Sequence, residues 1–393
     1  MSEPFEQPKT IRIGKYIFAD DVVSSLVRSQ RAPARTLNRS EFCDQCTGNF
    51  RLVQVNDPVC VESFCFDSWT EKSQFSISEL PKREIPSTSV LVVPSGRVVG
   101  RYGDVDVPMQ DVRIRQSKSS LQEAAWFART IRFGKLNPRF WKRVALNSLH
   151  KRFVPAVSRC SGRVAVLNCA GSHNYFHWIA EVLPRLWTLL QSGERADWYV
   201  ADCYSHWQRA SLAALGVQLD RVIQPHATFN VEADELLVPS LHATQAIQPM
   251  AQELAKGLGG GQGVIGEQRR LVYIERVNSR RPVNTNEFSA WRRRHGFSDV
   301  LLEDMPCAEQ VVLFQQAKLV LGAHGAGLTN IIHCKSGTPV VELMPSGLDR
   351  PCYPVLSQIF DLRHIMIHTP RAGRRHDIAV PISALDRMME KYG

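Results

Sequence analysis

The sequence predicts an α/β protein with two α/β domains and an N-terminal extension, and three observations support this fold class. The chain has 393 residues, more than one hydrophobic core normally organises. Short apolar runs typical of buried strands alternate with segments of helical spacing along most of the chain. Residues 258–263 are rich in glycine and have the composition of a linker. We therefore expect one α/β domain on each side of this segment.

The expected domain boundaries follow these changes in composition. We expect four segments: an extension lying on the first domain (1–85), the first α/β domain (86–245), the second α/β domain (246–370) and a basic tail (371–393). A formal G-x-G-x-x-G pattern occurs at Gly261, Gly263 and Gly266. A dinucleotide-binding fingerprint follows a strand and opens a helix. This pattern precedes the strand that begins at Leu271, so we exclude it as a nucleotide site.

In the first domain, a set of polar side chains follows a buried strand. A strand from Val164 to Leu167 precedes a polar loop and a helix from about Tyr175 to Leu190, in which Pro184 predicts a kink. Three side chains spaced by four residues are expected on one face of that helix: His173, His177 and Glu181.

Three interpretations of this set remain open. It could be a metal site, although no partner motif accompanies it. It could be a structural face satisfied by local hydrogen bonds. It could also lie at the mouth of a cleft, above the carboxyl end of a strand, where α/β sheets bind ligands. The position of the set favours the cleft.

The second domain begins with a strand and a basic loop. The strand runs from Leu271 to Ile274, and the loop carries Arg276, Arg280 and Arg281. Proline at position 282 disfavours helical backbone at Arg281, and adjacent side chains of an extended segment point to opposite sides. We therefore expect Arg281 to face the site and Arg280 to face away.

The segment from Lys318 to Pro345 predicts a strand, a loop of small residues, a helix and a second strand. Backbone N–H groups and a helix N-terminus in such a loop can face an anion. Glycine at positions 325 and 327 would allow close approach of a ligand to the backbone. The alternative is that the glycines only make a tight turn. His324, between glycines, is expected to point toward whatever the loop binds.

The composition is that of an ordinary globular protein with an anionic partner. Hydrophobic residues make up 44% and charged residues 22% of the chain, and the formal net charge is +10. No apolar run reaches the roughly 18 residues that span a bilayer. The first residues lack the apolar core of a signal peptide. We expect a cytoplasmic protein with mostly reduced cysteines, and peripheral contact with the inner membrane face stays open.

Two patterns could hold a metal ion, and neither is specific. Asp104-Val105-Asp106 is an Asp-x-Asp pair, but it lies beside a turn and Pro108, so we favour a surface turn. The second pattern has the spacing of a zinc knuckle in its first pair and comprises four cysteines: Cys43, Cys46, Cys60 and Cys65. The zinc question stays open, and we expect no obligatory metal.

Three blocks of the sequence together resemble one family. The blocks are Asn174-Tyr-Phe-His177-Trp-Ile-Ala-Glu181-Val-Leu-Pro184-Arg185-Leu; Tyr273-Ile-Glu-Arg276 with Arg280-Arg281 and Asn286-Glu287; and Glu309-Gln310 with His324-Gly-Ala-Gly-Leu-Thr-Asn330 and Val341-Glu-Leu343. They resemble glycosyltransferase family 61, which includes bacterial capsular-polysaccharide proteins and plant xylosyl- and arabinosyltransferases. The match covers about residues 165–345. Glu275 departs from the pattern, which usually has a small polar residue there.

The resemblance implies a GT-B-like enzyme: two Rossmann-like domains facing a cleft, the first on the acceptor side and the second binding the nucleotide-sugar. Such an enzyme transfers a sugar with inversion, without an obligatory metal or other cofactor. The implied donor is a nucleotide-sugar, expected to be a UDP-sugar. The implied acceptor is a hydroxyl of a glycan or glycoconjugate, as in surface or capsular polysaccharide synthesis. Nucleic acid is not an expected partner.

The resemblance also implies roles for particular residues. The donor diphosphate is expected to contact Arg276, Arg281, Gly325, Ala326 and Gly327. The catalytic candidates are Glu181, which we favour as general base, His177 and His324. The ribose or nucleotide is expected to contact Glu342 and Asn330. Glu342 could equally be a carboxylate at the edge of the core, paired with Arg350.

Two other classes of function stay open at this stage. One is a basic module that binds nucleic acid or an acidic polysaccharide, for which Trp291 beside Arg292, Arg293 and Arg294 is the candidate surface. The other is a scaffold with a transferase fold and no activity.

Overall fold

The structure is a computed structural model in which most of the chain is described. The described residues are 10–13, 16–19, 30–31, 35–37, 39–46, 48, 50–70, 72, 74–100, 104–107, 112–114, 153–154, 157–226, 229–241, 243–260, 270–348, 350–373 and 375–393. The G-x-G-x-x-G pattern excluded above therefore lies outside the described residues.

The strands within the described residues are, in chain order, β1 (Thr10–Ile13), β2 (Tyr16–Ala19), β3 (Gln30–Arg31), β4 (Arg35–Leu37), β5 (Arg51–Asn56), β6 (Val59–Val61), β7 (Phe64–Trp69), β8 (Phe75–Leu80), β9 (Arg83–Ile85), β10 (Thr88–Pro94), β11 (Arg97–Val99), β12 (Asp104–Val107), β13 (Val112–Ile114), β14 (Phe153–Val154), β15 (Ser158–Val166), β16 (Trp198–Val200), β17 (Val222–Ile223), β18 (Asn230–Pro239), β19 (Arg270–Ile274), β20 (Phe297–Val300), β21 (Ala317–Ala323), β22 (Pro339–Pro345) and β23 (Arg363–Thr369).

The α-helices there are α1 (Arg39–Gln45), α2 (Tyr175–His177), α3 (Leu183–Gln191), α4 (His206–Ala214), α5 (Ile247–Gly257), α6 (Thr285–Arg294), α7 (Cys307–Gln315), α8 (Cys352–Ile359) and α9 (Ile382–Tyr392). A π-helical segment, Trp178–Val182, joins α2 to α3. Short 3₁₀ segments are Leu219–Arg221, Thr244–Ala246, Leu302–Asp304 and Ala326–His333.

The first sheet has a parallel centre with antiparallel strands beside it. Its parallel strands lie in the order β17-β16-β15-β18. Numbered along the chain from β15, this order is 3-2-1-4, with a switch point between β15 and β18. Strands β10 and β11 both pair antiparallel with β18, and β12 and β13 extend that side. In such sheets ligands bind at the carboxyl ends of strands beside the switch point.

The second sheet is parallel except at one edge. Its order is β20-β19-β21-β22-β23-β7-β8, and only β8 runs antiparallel to its neighbour. Numbered from β19, the first five strands have the order 2-1-3-4-5, with the switch point between β19 and β21. The expected ligand position is therefore above the ends of these two strands. The α/β class is confirmed, with parallel pairing in both sheets.

One apolar core lies between the two sheets. It contains Ala165 of the first sheet and Val320 of the second, with Leu183 of α3 and Leu254 of α5 between them. The outer face of the first sheet packs around Phe42 of α1. The outer face of the second sheet is covered by α6 and α9. Helices thus lie on both faces of the second sheet, as parallel sheets require because both faces are apolar.

The N-terminal segment does not lie on the first domain alone. Strand β5 pairs with β10 of the first sheet, whereas β7 pairs in parallel with β23 and extends the second sheet. The sequence analysis expected an extension on the first domain only. Its assignment was wrong because partner choice in a sheet depends on distant strands that a local pattern does not identify.

The segment expected as a basic tail is partly a packed helix. Ala384, Leu385 and Met388 of α9 are buried against the second sheet. Lys391 and Tyr392 at the end of α9 both bond to Asp67 of β7. The apolar residues of α9 therefore determine the structure of this segment more than the basic residues that precede the helix.

Candidate functional site

The arginine loop follows β19, beside the switch point of the second sheet. Its backbone leaves β19 at Ile274 and runs to α6, and the loop after β21 faces it. Arg280 donates a hydrogen bond from Nη1 to the backbone oxygen of His324 in that second loop. Residues from the two strands that flank the switch point are therefore in contact.

The facing of the two adjacent arginines is the reverse of the prediction. Arg281 is 53% exposed and lies 3.6 Å from Asp377, which also accepts the backbone N–H of Arg281 at 3.0 Å. Arg280 has a left-handed backbone, with φ of 58°, and turns inward. The prediction failed because it expected extended backbone at Arg280 and Arg281. It also placed Asp377 in a basic tail, so the carboxylate that draws Arg281 outward was not identified.

Arg276, Arg280 and Arg350, here called the arginine cluster, have no salt bridge within the described part of the chain. Burial lowers the pKa of Arg280, and the charges of Arg276 and Arg350 lower it further. The buried Arg292, in contrast, has a carboxylate partner in Asp299 at 2.8 Å. The cluster is therefore a concentration of positive charge that an anion would stabilise.

Gly325 makes room for the guanidinium of Arg276. A Cβ atom on Gly325 would lie 2.7 Å from Cζ of Arg276. Its backbone, with φ and ψ of 165°, is extended and open to any residue, so the need for glycine is steric. Gly327 instead packs against apolar atoms, because its Cβ would lie 3.1 Å from Ile274 and 3.2 Å from Leu302. Ala326 opens the 3₁₀ segment that replaces the expected helix.

His324 belongs to a buried chain of polar groups. Its Nδ1 contacts Oε1 of Glu342, and the other oxygen of Glu342 lies 3.1 Å from Nε2 of His364. Nδ1 of His364 lies 3.0 Å from Oγ of Ser357. Burial alone would raise the pKa of Glu342, but the hydrogen bonds from His324 and His364 hold it below its usual value.

Neither residue expected at the ribose is free to contact a ligand in this structure. Glu342 is fully buried, and its partners are the two histidines rather than Arg350. Asn330 is 1% exposed, accepts a hydrogen bond from the hydroxyl of Tyr175 at 2.7 Å and donates to Gln310 at 3.0 Å. The side chain of Asn330 therefore joins the first-sheet helix α2 to the second-sheet half.

Two aromatic residues at this junction were not identified from the sequence. The hydroxyl of Tyr353 donates to the backbone oxygen of Gly325 at 2.5 Å, and its ring lies edge-on to His324 and to Phe176. Phe176 in turn lies against His177. A chain of aromatic contacts thus connects the two sets of candidate residues. Tyr353 lies in α8, outside the three blocks of the resemblance, so no signal marked it.

The helix after β15 contains a π-helical segment where a kink was expected. Proline at position 184 has no N–H to donate within the helix. The N–H of Leu183 bonds to the oxygen of Trp178, five residues back, and the helix resumes at Leu183. Such segments often occur at functional sites. Glu181 lies within it.

His177 and Glu181 form an accessible pair. Nδ1 of His177 lies 3.0 Å from Oε2 of Glu181, with side chains 37% and 29% exposed. The atoms are at ion-pair distance, but their alignment is not that of a hydrogen bond. The thiol of Cys169 contacts the same oxygen at 3.6 Å, and burial, with the charge of Glu181, raises the pKa of Cys169 to about 12. His173 precedes the helix and does not share this face.

Two further features fix the position of this pair. A Cβ atom on Gly171 would lie 2.7 Å from Cδ2 of His177, and the φ of Gly171 is 92°, so only glycine suits this position. The guanidinium of Arg185 is buried and donates to the backbone oxygens of Val166, Leu167 and Asn168. Arg185 therefore ties the helix to the carboxyl end of β15.

The described residues hold no group of three or more His, Cys, Asp or Glu that could bind a metal ion. The four cysteines considered for zinc are not gathered there. Asp104 to Asp106 lie in β12, where they pair with β11 and β13, so the expected surface turn is wrong. No described helix is long and apolar enough to cross a bilayer.

The surface proposed for nucleic-acid stacking is not available. Trp291 is 1% exposed, and its indole N–H donates to Asp386 at 2.7 Å. Arg292 is also buried and bonds to Asp299.

Comparison with known proteins identifies the segment that carries these side chains. Residues 175–341 match the family model described as Glycosyltransferase 61. Beta-1,2-xylosyltransferase RCN11 of Oryza sativa subsp. japonica is 31% identical over 93 residues, which are 24% of this chain and 17% of that protein. A beta-1,2-xylosyltransferase of Arabidopsis thaliana is 30% identical over 93 residues, with the same shares of each chain. Beta-1,2-xylosyltransferase XAX1 of Oryza sativa subsp. japonica is 29% identical over 138 residues, 34% of this chain and 23% of that protein.

The similarity is local in sequence. The chain aligns with less than a quarter of the length of each of these relatives. A solved structure, the dodecameric iron-containing heptosyltransferase TibC in complex with ADP-D-beta-D-heptose, covers 78% of this chain and 80% of its own at 8% identity. Its TM-score of 0.27 is too low to identify the fold. The family-model match, in contrast, covers residues 175–341, which include His177, Glu181, Arg276, Arg280 and His324, and this part of the chain is similar to glycosyltransferase family 61.

Proposed function

We propose that this protein is an inverting glycosyltransferase that moves a sugar from a nucleotide-sugar to a hydroxyl of a glycan or glycoconjugate. The observation that carries the proposal is the arginine cluster at the switch point of the second sheet. The charges of Arg276 and Arg350 both act against the charge of Arg280, and none of the three has a carboxylate partner among the described residues. A nucleoside diphosphate supplies the missing negative charge, and its charge increases as the sugar leaves.

The donor is expected to lie across the ends of β19 and β21. Arg276 and Arg280 offer planar forks that match phosphate oxygens, and Arg350 adds positive charge from the α8 side. The backbone of Gly325 borders the same space, since only its missing Cβ leaves room for Arg276. The two sheets, with strand orders 3-2-1-4 and 2-1-3-4-5, are compatible with a GT-B arrangement.

The first half of the molecule would supply the proton acceptor. The acceptor hydroxyl attacks the anomeric carbon as the bond to the diphosphate breaks, and its proton must go to a base within hydrogen-bond reach. We assign this role to His177, with Glu181 orienting it. Oε2 of Glu181 lies 3.0 Å from Nδ1 of His177. In the reacting complex this pair would align so that Nδ1 donates to Glu181, which would leave Nε2 of His177 to accept the proton of the hydroxyl. This reverses the sequence-based preference for Glu181.

The donor, the metal requirement, the biological role and the location of the protein are also proposals. We propose a UDP-sugar donor, no obligatory metal, a role in surface or capsular polysaccharide synthesis, and a cytoplasmic location with peripheral contact at the inner membrane face. The relatives are named beta-1,2-xylosyltransferases, so a pentose donor belongs in any substrate screen.

A thermal-shift screen tests the proposal directly, because a ligand that binds only the folded state raises its melting temperature. The panel contains UDP, GDP and CMP with their glucose, N-acetylglucosamine, xylose, mannose or sialic acid conjugates. We expect one nucleoside diphosphate series to raise the melting temperature of the wild type and of Arg281→Ala. Arg280→Ala should lose that rise. Equal stabilisation of both variants, or none for any nucleotide, would contradict the proposal.

A further inference from the structure

His324, Glu342, His364 and Ser357 form a continuous buried chain beneath the arginine cluster. Glu342 is fully buried, His364 is 2% exposed and His324 is 5% exposed. Glu342 and His364 lie in the adjacent strands β22 and β23, and Ser357 lies in α8. His324 directly follows β21, the neighbour of β22. His324 lies in the loop that borders the proposed donor site, and the other three side chains are buried.

The protons of this chain can be assigned from its donors and acceptors. The hydrogen bonds from His324 and His364 keep the pKa of Glu342 below its usual value, and an ionised carboxylate accepts at both oxygens. The facing nitrogens must therefore donate: Nδ1 of His324 and Nε2 of His364 each carry a proton. A neutral His364 then has its lone pair on Nδ1, where the hydroxyl of Ser357 donates.

We propose that Glu342 and His364 are positioning residues that keep His324 in the tautomer with its proton on Nδ1. This tautomer leaves Nε2 of His324 as the ring nitrogen that can meet the ligand. The part of the proposal that concerns transfer rests on the proposed function, whereas the tautomer itself does not.

His364 provides the second hydrogen bond to Glu342. Burial on its own favours the neutral carboxyl of Glu342, and the hydrogen bonds from His324 and His364 both act against it. We expect Glu342 to take up a proton when the hydrogen bond from His364 is removed. A protonated carboxyl donates rather than accepts, so it would donate to Nδ1 of His324 and move the imidazole proton to Nε2.

The test is a long-range proton–nitrogen NMR correlation on protein labelled with ¹⁵N-histidine, which distinguishes protonated from unprotonated ring nitrogens. The His324 signals are identified by their loss in His324→Asn. We expect the proton on Nδ1 of His324 and on Nε2 of His364 in the wild type. In His364→Phe, which keeps the ring packed on Phe66, the His324 proton should move to Nε2. His364→Gln, which restores an N–H donor, should return it to Nδ1.

A matched control and a kinetic measurement separate positioning from general stability. His368 lies four residues along β23 on the same side of the strand, so His368→Gln should leave the His324 tautomer unchanged. With the donor found in the thermal-shift screen, His364→Phe should lower kcat about 10- to 100-fold, as loss of an orienting partner typically does. The KM for the donor should change little, and His364→Gln should recover the rate.

The outcomes are distinct. The proposal is overturned if wild-type His324 carries its proton on Nε2, or if His364→Phe leaves the tautomer unchanged. If the tautomers behave as expected while no nucleotide binds, the positioning role stands and the proposed transferase function fails.

Discussion

Arg280 and Arg281 are neighbours with the same side chain in opposite surroundings. Arg280 is half-buried against His324, and Arg281 is exposed beside Asp377. If Arg280 forks onto the diphosphate, Arg280→Lys should lose about 1–3 kcal/mol of transition-state stabilisation, or roughly 5- to 150-fold in kcat/KM. Arg281→Lys should cost little, because lysine can still pair with Asp377. Steady-state kinetics with the cognate donor measures both.

The paired variants also test the facing of the loop. A large loss at Arg281 alone would mean that the loop changes its facing when the donor binds. Small and equal losses at both positions would show that neither arginine clamps the diphosphate.

The assignment of His177 as base predicts a difference between two variants of one pair. His177→Ala should lower kcat at least about 100-fold, and added imidazole should restore part of it, because a free base can occupy the vacated space. Glu181→Gln should also slow the reaction, but imidazole should not help, since the ring is still present. If Glu181→Gln is inactive and His177→Ala is active, the carboxylate is the base, as first predicted from the sequence.

For single residues, the sequence predicted which side chains belong to the candidate site better than it predicted their burial and orientation. Spacing and the motif singled out Arg276, His324 and the pair of His177 and Glu181, and their roles stay predictions. The burial of Glu342 was not predictable, because His364, its second partner, lies 22 positions later and carries no motif. Similarly, the facing of Arg280 depends on a left-handed backbone that no local rule demands of an arginine.

For the two loops at the switch point, the shared space between Gly325 and Arg276 can be tested by a double-mutant cycle. Gly325→Ala adds a Cβ that overlaps the guanidinium of Arg276, although the extended backbone tolerates alanine. We expect Gly325→Ala to weaken donor binding by displacing Arg276. In the Arg276→Ala background the same change should have little further effect, a coupling of about 0.5–3 kcal/mol. Titration of the nucleoside diphosphate by calorimetry gives the four affinities.

Additive effects would contradict this explanation. They would show that alanine at position 325 acts on the ligand or the backbone directly, in line with the expectation from the sequence that a ligand approaches the backbone of Gly325 closely.

Strands with a strong apolar pattern were predicted at their observed positions. The type of helix, which depends on whether the backbone hydrogen bonds span three, four or five residues, was not predicted. Strands β19, β21 and β22 occur where buried runs were expected. The helix after β15 was also expected, but its π-helical segment follows from a missing proline N–H and from packing together. The 3₁₀ form of Ala326–His333 was not predicted either, because spacing alone does not distinguish a 3₁₀ helix from an α-helix over two turns.

At the scale of the whole molecule, strand β7 and the C-terminal helix α9 meet on the second sheet. Strand β7 from the N-terminal segment adds to β23, and α9 covers the outer face and bonds to Asp67 of β7. The packing of helices on β-sheets was predictable from the alternation of strand and helix patterns. The closure, by which we mean the pairing of β7 with β23 and the contact of α9 with β7, was not. It depends on contacts across more than 300 positions, for which a single sequence provides no periodic signal.

The closure predicts that α9 stabilises the second half of the molecule. Leu385 is fully buried against the face that also contains Tyr273 of β19 and Phe288 of α6. Leu385→Ala should therefore lower the free energy of unfolding of this half by about 2–5 kcal/mol. Glu390→Ala, on the exposed side of the same helix, should stay within about 0.5 kcal/mol. Urea denaturation followed by tryptophan fluorescence reports on this face through Trp291, which packs in the same core. If α9 packs on the second sheet, only Leu385→Ala should shift the urea midpoint. If this segment is a tail without a structural role, the two variants should have the same midpoint.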